Sequence, residues 1–186
     1  MAKADPKNVG ARSDLSLGYS RMVAVLAKSG DTAGAQEYFQ KARTIVTDLL
    51  ANDPGNATYF MILRGNYMRM TDVLLTTGDV NGASEDACKE LAIDDQILAL
   101  NPASADAPRN QALAHAQLGK AYTLLASNPR MTVAEQQQNW CAGRSEYQKS
   151  VDIWQDMEGK GMLNQVDLEK RDEVARTLAD CESALR

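Results

Sequence analysis

Apolar residues along this chain fall at helical steps. Leu15, Tyr19, Met22, Val23 and Leu26 recur three or four positions apart, so a helix places them on one face. Lys28-Ser29-Gly30-Asp31 ends that helix and opens another. Glycine takes the left-handed backbone after a last turn, and an aspartate accepts from the free amides of a new first turn. Ala35, Phe39, Ala42, Ile45, Val46 and Leu49 form a second apolar face. Asp53-Pro54 ends it, because proline cannot continue the hydrogen-bond ladder and disfavours a helical residue before it.

The pair then recurs. Asp5-Pro6-Lys7-Asn8, Asp53-Pro54-Gly55-Asn56 and Asn101-Pro102-Ala103-Ser104 begin 48 residues apart. Tyr19 returns as Tyr67, Met22 as Met70, Leu26 as Leu74, Gly30-Asp31 as Gly78-Asp79 and Gly34-Ala35 as Gly82-Ala83. The second pair puts Leu63, Tyr67, Met70 and Leu74 on its first helix, with Ala83, Ala87, Leu91 and Leu98 on its second. The third opens with Leu113, Leu118, Gly119, Tyr122 and Leu125. Gln148 and Ile153 match Gln40 and Ile45 at a separation of 108, twelve beyond two periods. About a dozen residues are therefore inserted around Ser127 to Asn139, and the capping box formed by Thr132 and Glu135 predicts that they lengthen the start of a helix. A last helix, roughly Asn164 to Leu185, carries Val166, Val174, Leu178, Cys181 and Leu185 among many charges, as a terminal cap requires.

A fixed period of this size predicts a stacked array, which works as an extended binding surface. The expected architecture is all-α. It is a right-handed superhelix of three long hairpins in a single domain over residues 1–186, with units 9–56, 57–104 and 105–163 and a capping helix 164–186.

Composition narrows the function. The net charge is -5, with 25 acidic against 20 basic residues, whereas nucleic-acid binders carry a basic excess. No apolar run approaches the roughly 18 residues of a membrane span, and the first residues are too polar for a secretory signal, so the expected location is cytoplasmic. Cys88, Cys141 and Cys181 lack metal-ligand spacing and read as reduced cysteines filling helix contacts. No metal, cofactor or catalytic set is expected. His115 reads as a packed anchor, Trp140 and Trp154 read as core anchors on one face, and no base stands near Cys141 or Cys181 in sequence.

The residues Tyr19, Met22, Val23 and Leu26, followed by Ala35, Phe39 and Ala42, resemble the tetratricopeptide repeat, as do His115, Leu118, Gly119 and Tyr122. The period departs from the usual 34 or so of that family. Seven residues added at each helix's outer end, close to two turns, lengthen a hairpin without rotating its packing face.

At a finer level the chain is similar to the carboxy-terminal repeat regions of bacterial eukaryotic-like serine/threonine protein kinases. The matching stretches are Arg12-Ser13-Asp14-Leu15-Ser16, Gly30-Asp31-Thr32-Ala33-Gly34-Ala35, Asp53-Pro54-Gly55-Asn56, and Tyr147-Gln148-Lys149-Ser150-Val151-Asp152-Ile153-Trp154 followed by Asp172-Glu173-Val174-Ala175. The kinase's own Gly-rich loop, HRD-like and DFG-like segments have no counterpart. The resemblance implies a regulatory tail that binds protein and does no chemistry itself, with self-association as the alternative.

It also implies a concave groove lined by first helices. The positions one and five residues after each Tyr19-type anchor are Ser20 and Ala24, Met68 and Asp72, and Ala116 and Lys120, to which the equivalent Arg21 and Arg69 are added. Ordinary solvated helix surface is the competing reading. Arg12, Arg21, Lys28, Arg64, Arg69, Arg109 and Lys120 predict a basic inner face. Asp79, Glu85, Asp86, Glu90, Asp94 and Asp95 predict an acidic outer one, and together these would steer an acidic partner segment inward.

Overall fold

The structure, a computed structural model, describes residues 8–185. The sequence stretch 1–7, which includes the first Asp-Pro boundary, and the last position of the predicted cap lie outside the described residues. Seven helices follow one another: α1 (Val9–Lys28), α2 (Thr32–Asn52), α3 (Ala57–Thr77), α4 (Val80–Leu100), α5 (Asp106–Ala126), α6 (Val133–Gly159) and α7 (Gln165–Ala184). No strand occurs among the described residues, so the all-α expectation holds.

Local chemistry sets the boundaries. Asp31 and Asp79 accept from the amides of Gly34 and Gly82 at 2.9 and 3.1 Å, which starts α2 and α4. Gly30 and Gly78 turn the chain at φ 80° and 83°, in the left-handed region where a Cβ is strained. As a result α4 begins and ends 48 residues after α2. Thr132 and Glu135 close the predicted capping box, and α6 runs for 27 residues where α2 and α4 have 21. Half of the insertion thus lengthens the helix and the rest forms the turn before it.

Each pair of helices meets at one recurring point. In α1 and α2, the Ser16 hydroxyl donates to the Ala42 carbonyl at 2.9 Å. In α5 and α6, the Ser150 hydroxyl donates to the Ala112 carbonyl at 2.7 Å. Ala112 stands two periods after Ser16, and Ser150 stands two periods and the twelve-residue insertion after Ala42. The same position therefore pairs a small residue with a hydroxyl both times, and the roles are exchanged. Close approach also marks α5 and α6 further along, where a Cβ on Gly143 would sit 2.8 Å from Thr123 Cγ2 and one on Gly119 3.0 Å from the Tyr147 ring.

The middle pair puts charge at this crossing. Arg64 of α3 lies 2.9 Å from Glu90 and its Nε 3.0 Å from Asp94 Oδ1, both carboxylates on α4 and both wholly buried. The Asp94 contact is close enough for an ion pair but off the line that a hydrogen bond needs, and Glu90 Oε2 has no partner. One guanidinium cannot neutralise two buried carboxylates. Burial pushes the Glu90 carboxyl up to about 8 and that of Asp94 to about 6, against the opposing pull of Arg64. Burial thus favours the protonated form of both carboxyls, and of Glu90 more strongly.

The outer-face expectation for α4 is corrected here. Asp86, Glu90 and Asp94 are buried, and Ile93 and Ile97 are core residues where Leu91 and Leu98 are only half-buried. The helix is rotated from the predicted face because Arg64 and its two carboxylates occupy the interior. Val166, assigned to the inner face of the last helix, is 63% exposed, whereas Val174, Leu178 and Cys181 pack against Tyr147 and Val151. Cys88 and Cys141 are exposed, so only Cys181 fills a helix contact as expected.

Neighbouring pairs pack through α2 against α3 and α4 against α5, with Phe39 meeting Tyr67 edge to face at 5.5 Å. The first helices also approach closely, α1 against α3 and α3 against α5, while the backbones of α2, α4 and α6 do not approach one another as closely. The α7 helix lies on α6 and reaches α5, which closes one end.

Because Glu90 holds a proton in the folded chain that it releases on unfolding, the folded state binds more protons between about pH 4.5 and 8. Stability is then expected to fall as pH rises through that window and to level off above it. Glu90→Gln should flatten this slope and stabilise the chain at pH 8 by on the order of 2–4 kcal/mol. Urea titrations of both proteins at pH 5 and pH 8 check it; parallel pH profiles would show that Glu90 is ionised throughout.

Candidate functional site: a groove on the first helices

The surface of α1, α3 and α5 carries two adjoining depressions. The larger, about 630 Å³, lies between α3, α5 and α7. Its apolar wall is Leu75, Leu113, Leu124 and Val174, and its polar rim is Asp72, Gln117, Lys120, Lys170 and Glu173. The smaller, about 300 Å³, lies between α1 and α3 and is lined by Ala24, Ala27, Lys28, Arg69, Asp72, Val73 and Thr76. Asp72 stands on the partition and lines both.

Six of the eight expected groove residues meet here. Met68, Asp72, Ala116 and Lys120 line the larger depression, and Ala24, Arg69 and again Asp72 line the smaller. Arg21 is exposed beside them. Ser20 departs from expectation: it is 1% exposed and lies beneath the surface, where its hydroxyl accepts from Arg69 Nη1 at 3.1 Å. A serine small enough to pack between α1 and α3 serves as an anchor for the arginine instead of as a ligand contact.

The basic inner face is also corrected in part. Arg12 is paired with Asp48, Arg64 with Glu90 and Asp94, and Arg109 with Asp106 and Asp167 at 2.6 and 2.9 Å. Those guanidiniums are occupied by the chain's own carboxylates. Among the described residues, Arg21, Lys28, Arg69 and Lys120 have no carboxylate within ion-pair distance. Arg69 is half-buried and held by two neutral acceptors, Ser20 Oγ and the Gly65 carbonyl at 2.7 Å. A side chain at Gly65 would place its Cβ 2.9 Å from Arg69 Nη1, so the glycine leaves room for the guanidinium. Burial first, and then the nearby charges of Arg21 and Arg64, lower the Arg69 pKa from the ordinary arginine value.

The larger depression is electrically mixed. Lys170 pairs with Glu173 at 2.9 Å and holds its carboxyl below the usual range, with Lys120 adding to the effect. Gln117 Nε2 donates to Asp72 Oδ1 at 2.7 Å and ties α5 to α3, while Gln117 Oε1 is buried with no partner. The α7 wall was missed in the sequence, since Lys170 and Glu173 read there as solvated cap charges. Gln117 and Leu124 were within reach: they stand two periods after Arg21 and Lys28, and counting the period onward finds them.

The residues that invite an enzymatic reading lie outside this groove. His115 Nδ1 is 2.7 Å from Glu146 Oε2 on α6, and Glu146 also binds Lys149 at 2.6 Å. Trp154 is fully buried and Trp140 half-buried. Among the described residues no three His, Cys, Asp or Glu side chains gather as a metal site, and no helix is long and apolar enough to cross a membrane. Comparison of the chain with protein-family models, curated proteins and solved structures finds no match.

Arg21 and Arg69 are equivalent in the period but not in role. Arg21→Ala is expected to change stability by under about 0.5 kcal/mol, as for a surface residue. Arg69→Ala is expected to cost about 1–3 kcal/mol, because the buried Ser20 hydroxyl loses its donor. Guanidinium titration of the two variants checks the difference; equal losses would put Arg69 in solvent.

Proposed function

We propose that this chain is a tetratricopeptide-like, right-handed superhelical array that binds a protein segment in the groove on α1, α3 and α5, and that it serves as the regulatory tail of a bacterial serine/threonine kinase. The observation that carries the binding reading is the adjoining pair of depressions on the first helices, where residues of every second helix share one surface. An apolar wall beside a polar rim is the usual make-up of a peptide-recognition surface. The array reading draws on the close approach of successive first helices, which the second helices do not match. The kinase reading draws on the sequence stretches that resemble that family's closing units, Tyr147 to Trp154 above all. The role is binding without catalysis, because the chain has no phosphate-positioning loop, catalytic-loop or metal-holding segment.

The test is a random 12-residue peptide library displayed on phage and selected on the purified chain. Enriched peptides are expected to lose binding to Leu124→Arg, which fills the larger depression from a position 40% exposed, while the melting temperature stays unchanged. Peptides that bind the variant as well as the original would move the site to an outer face and overturn the groove.

One observation favours a second reading, self-association. Leu15, Tyr19 and Ile45 line an apolar cleft at the α1/α2 end, where they are half-buried. Their counterparts Leu63, Tyr67 and Ile93 are 8% exposed, and Tyr67 packs on Phe39 of the preceding pair. A second chain covering that end would bury the same set. Mass measured by sedimentation across a concentration series is expected to rise toward a dimer on this reading, and a constant monomer mass removes it.

A further inference from the structure

The geometry points to a carboxylate subsite in the smaller depression: the bound segment places an acidic side chain against Arg69 and Lys28, about three residues away from a large apolar side chain seated in the larger depression. This rests on the reading of the groove as a segment-binding surface and specifies what segment it takes.

Arg69 is the reason. The other half-buried guanidiniums of the first helices, those of Arg12 and Arg109, each face a carboxylate of the chain itself, and so does the buried Arg64. Arg69 faces neutral acceptors only, a hydroxyl and a carbonyl, and these occupy Nη1 and leave Nε and Nη2 free. Its burial lowers its pKa, as do the like charges of Arg21 and Arg64, and Asp72 offsets only part of this. A partly desolvated cation with no carboxylate within ion-pair distance is stabilised by an anion that arrives, and planar bidentate contact with a carboxylate suits its free edge. Ala24 and Ala27 leave the space, and Lys28 adds a second cation on the rim. Asp72 also lines this depression, but its Oδ1 is engaged by Gln117. Its negative charge favours a singly charged carboxylate over a doubly charged phosphate.

The spacing follows from the helices. The smaller depression lies between α1 and α3, and the larger one helix further on, against α3, α5 and α7. Packed helices stand about 8–10 Å apart, and an extended chain advances about 3.3 Å per residue, so the two side chains are about three residues apart. Leu75, Leu113, Leu124 and Val174 fit an aliphatic or aromatic side chain, and Asp72 on the partition can accept a backbone N–H of the residues between.

The test uses peptides selected from the displayed 12-residue library on the full chain. Enriched sequences are expected to carry Asp or Glu about three positions from a large apolar residue. For the tightest peptide, changing its acidic residue to the amide should weaken binding to the original chain about tenfold or more by fluorescence anisotropy. The same change should cost little against Arg69→Gln. Lys28→Gln, on an exposed side chain, should weaken the acidic peptide without disturbing the fold, and binding should weaken as salt rises. An equal loss for the amide peptide against the original chain and Arg69→Gln would overturn the subsite. So would enriched peptides that need Leu124 and carry no acid, although the groove would then stand. Peptides indifferent to Leu124→Arg, or a library from which nothing is enriched, overturn groove and subsite together.

Discussion

Two helices can run side by side over twenty residues only where something small or well matched lies at their crossing. In this chain a single recurring position sets that distance. Ser16 with Ala42 and Ser150 with Ala112 solve it with a hydroxyl that satisfies itself on the facing backbone, so the helices approach closely without burying an unmet donor. The three crossings lie at one repeat position, so each joins the two helices of its pair at the same level. The middle crossing is the exception, where Arg64 with Glu90 and Asp94 takes the place of the small residue and the hydroxyl. A buried cluster of this kind is weak evidence of added stability, since desolvation of its charged members offsets much of their attraction. Its effect is on specificity of packing, as α4 can sit only where Arg64 can reach it.

The groove inherits its shape from these crossings. Bringing α1 and α5 each into contact with α3 puts positions one period apart on one surface, so Ala24 and Asp72 line the smaller depression and Lys120 joins Asp72 in the larger. The α7 helix completes it by standing Val174 and Lys170 opposite α5. The same packing that forms the groove takes up three of its seven predicted cations, because Arg12, Arg64 and Arg109 find carboxylates of the chain itself before any ligand does.

What was legible in the sequence was local. Gly30, Gly78, Asp31, Asp79, Pro54 and the Thr132–Glu135 box act within a few residues of themselves, and the helix boundaries they predict are the ones found. What was hidden depends on partners far along the chain. Glu90 and Asp94 lie at spacings that read as a solvated stripe, and only Arg64, 26 residues before Glu90, makes their burial tolerable. Ser20 looks like surface until Arg69, 49 residues on, is seen to bind its hydroxyl. Polar residues carry no mark of which way they face when the neighbour that satisfies them is in another helix.

The proton held by Glu90 also reaches beyond the fold to the solution around it. At neutral pH, unfolding exposes the carboxyl and releases that proton to the buffer, which takes it up with its own heat of ionisation. The heat absorbed when this chain melts is therefore a property of protein and buffer together. An amine buffer and phosphate would return different enthalpies for the same conformational change, and the gap between them counts the protons that the middle pair of helices had kept out of water.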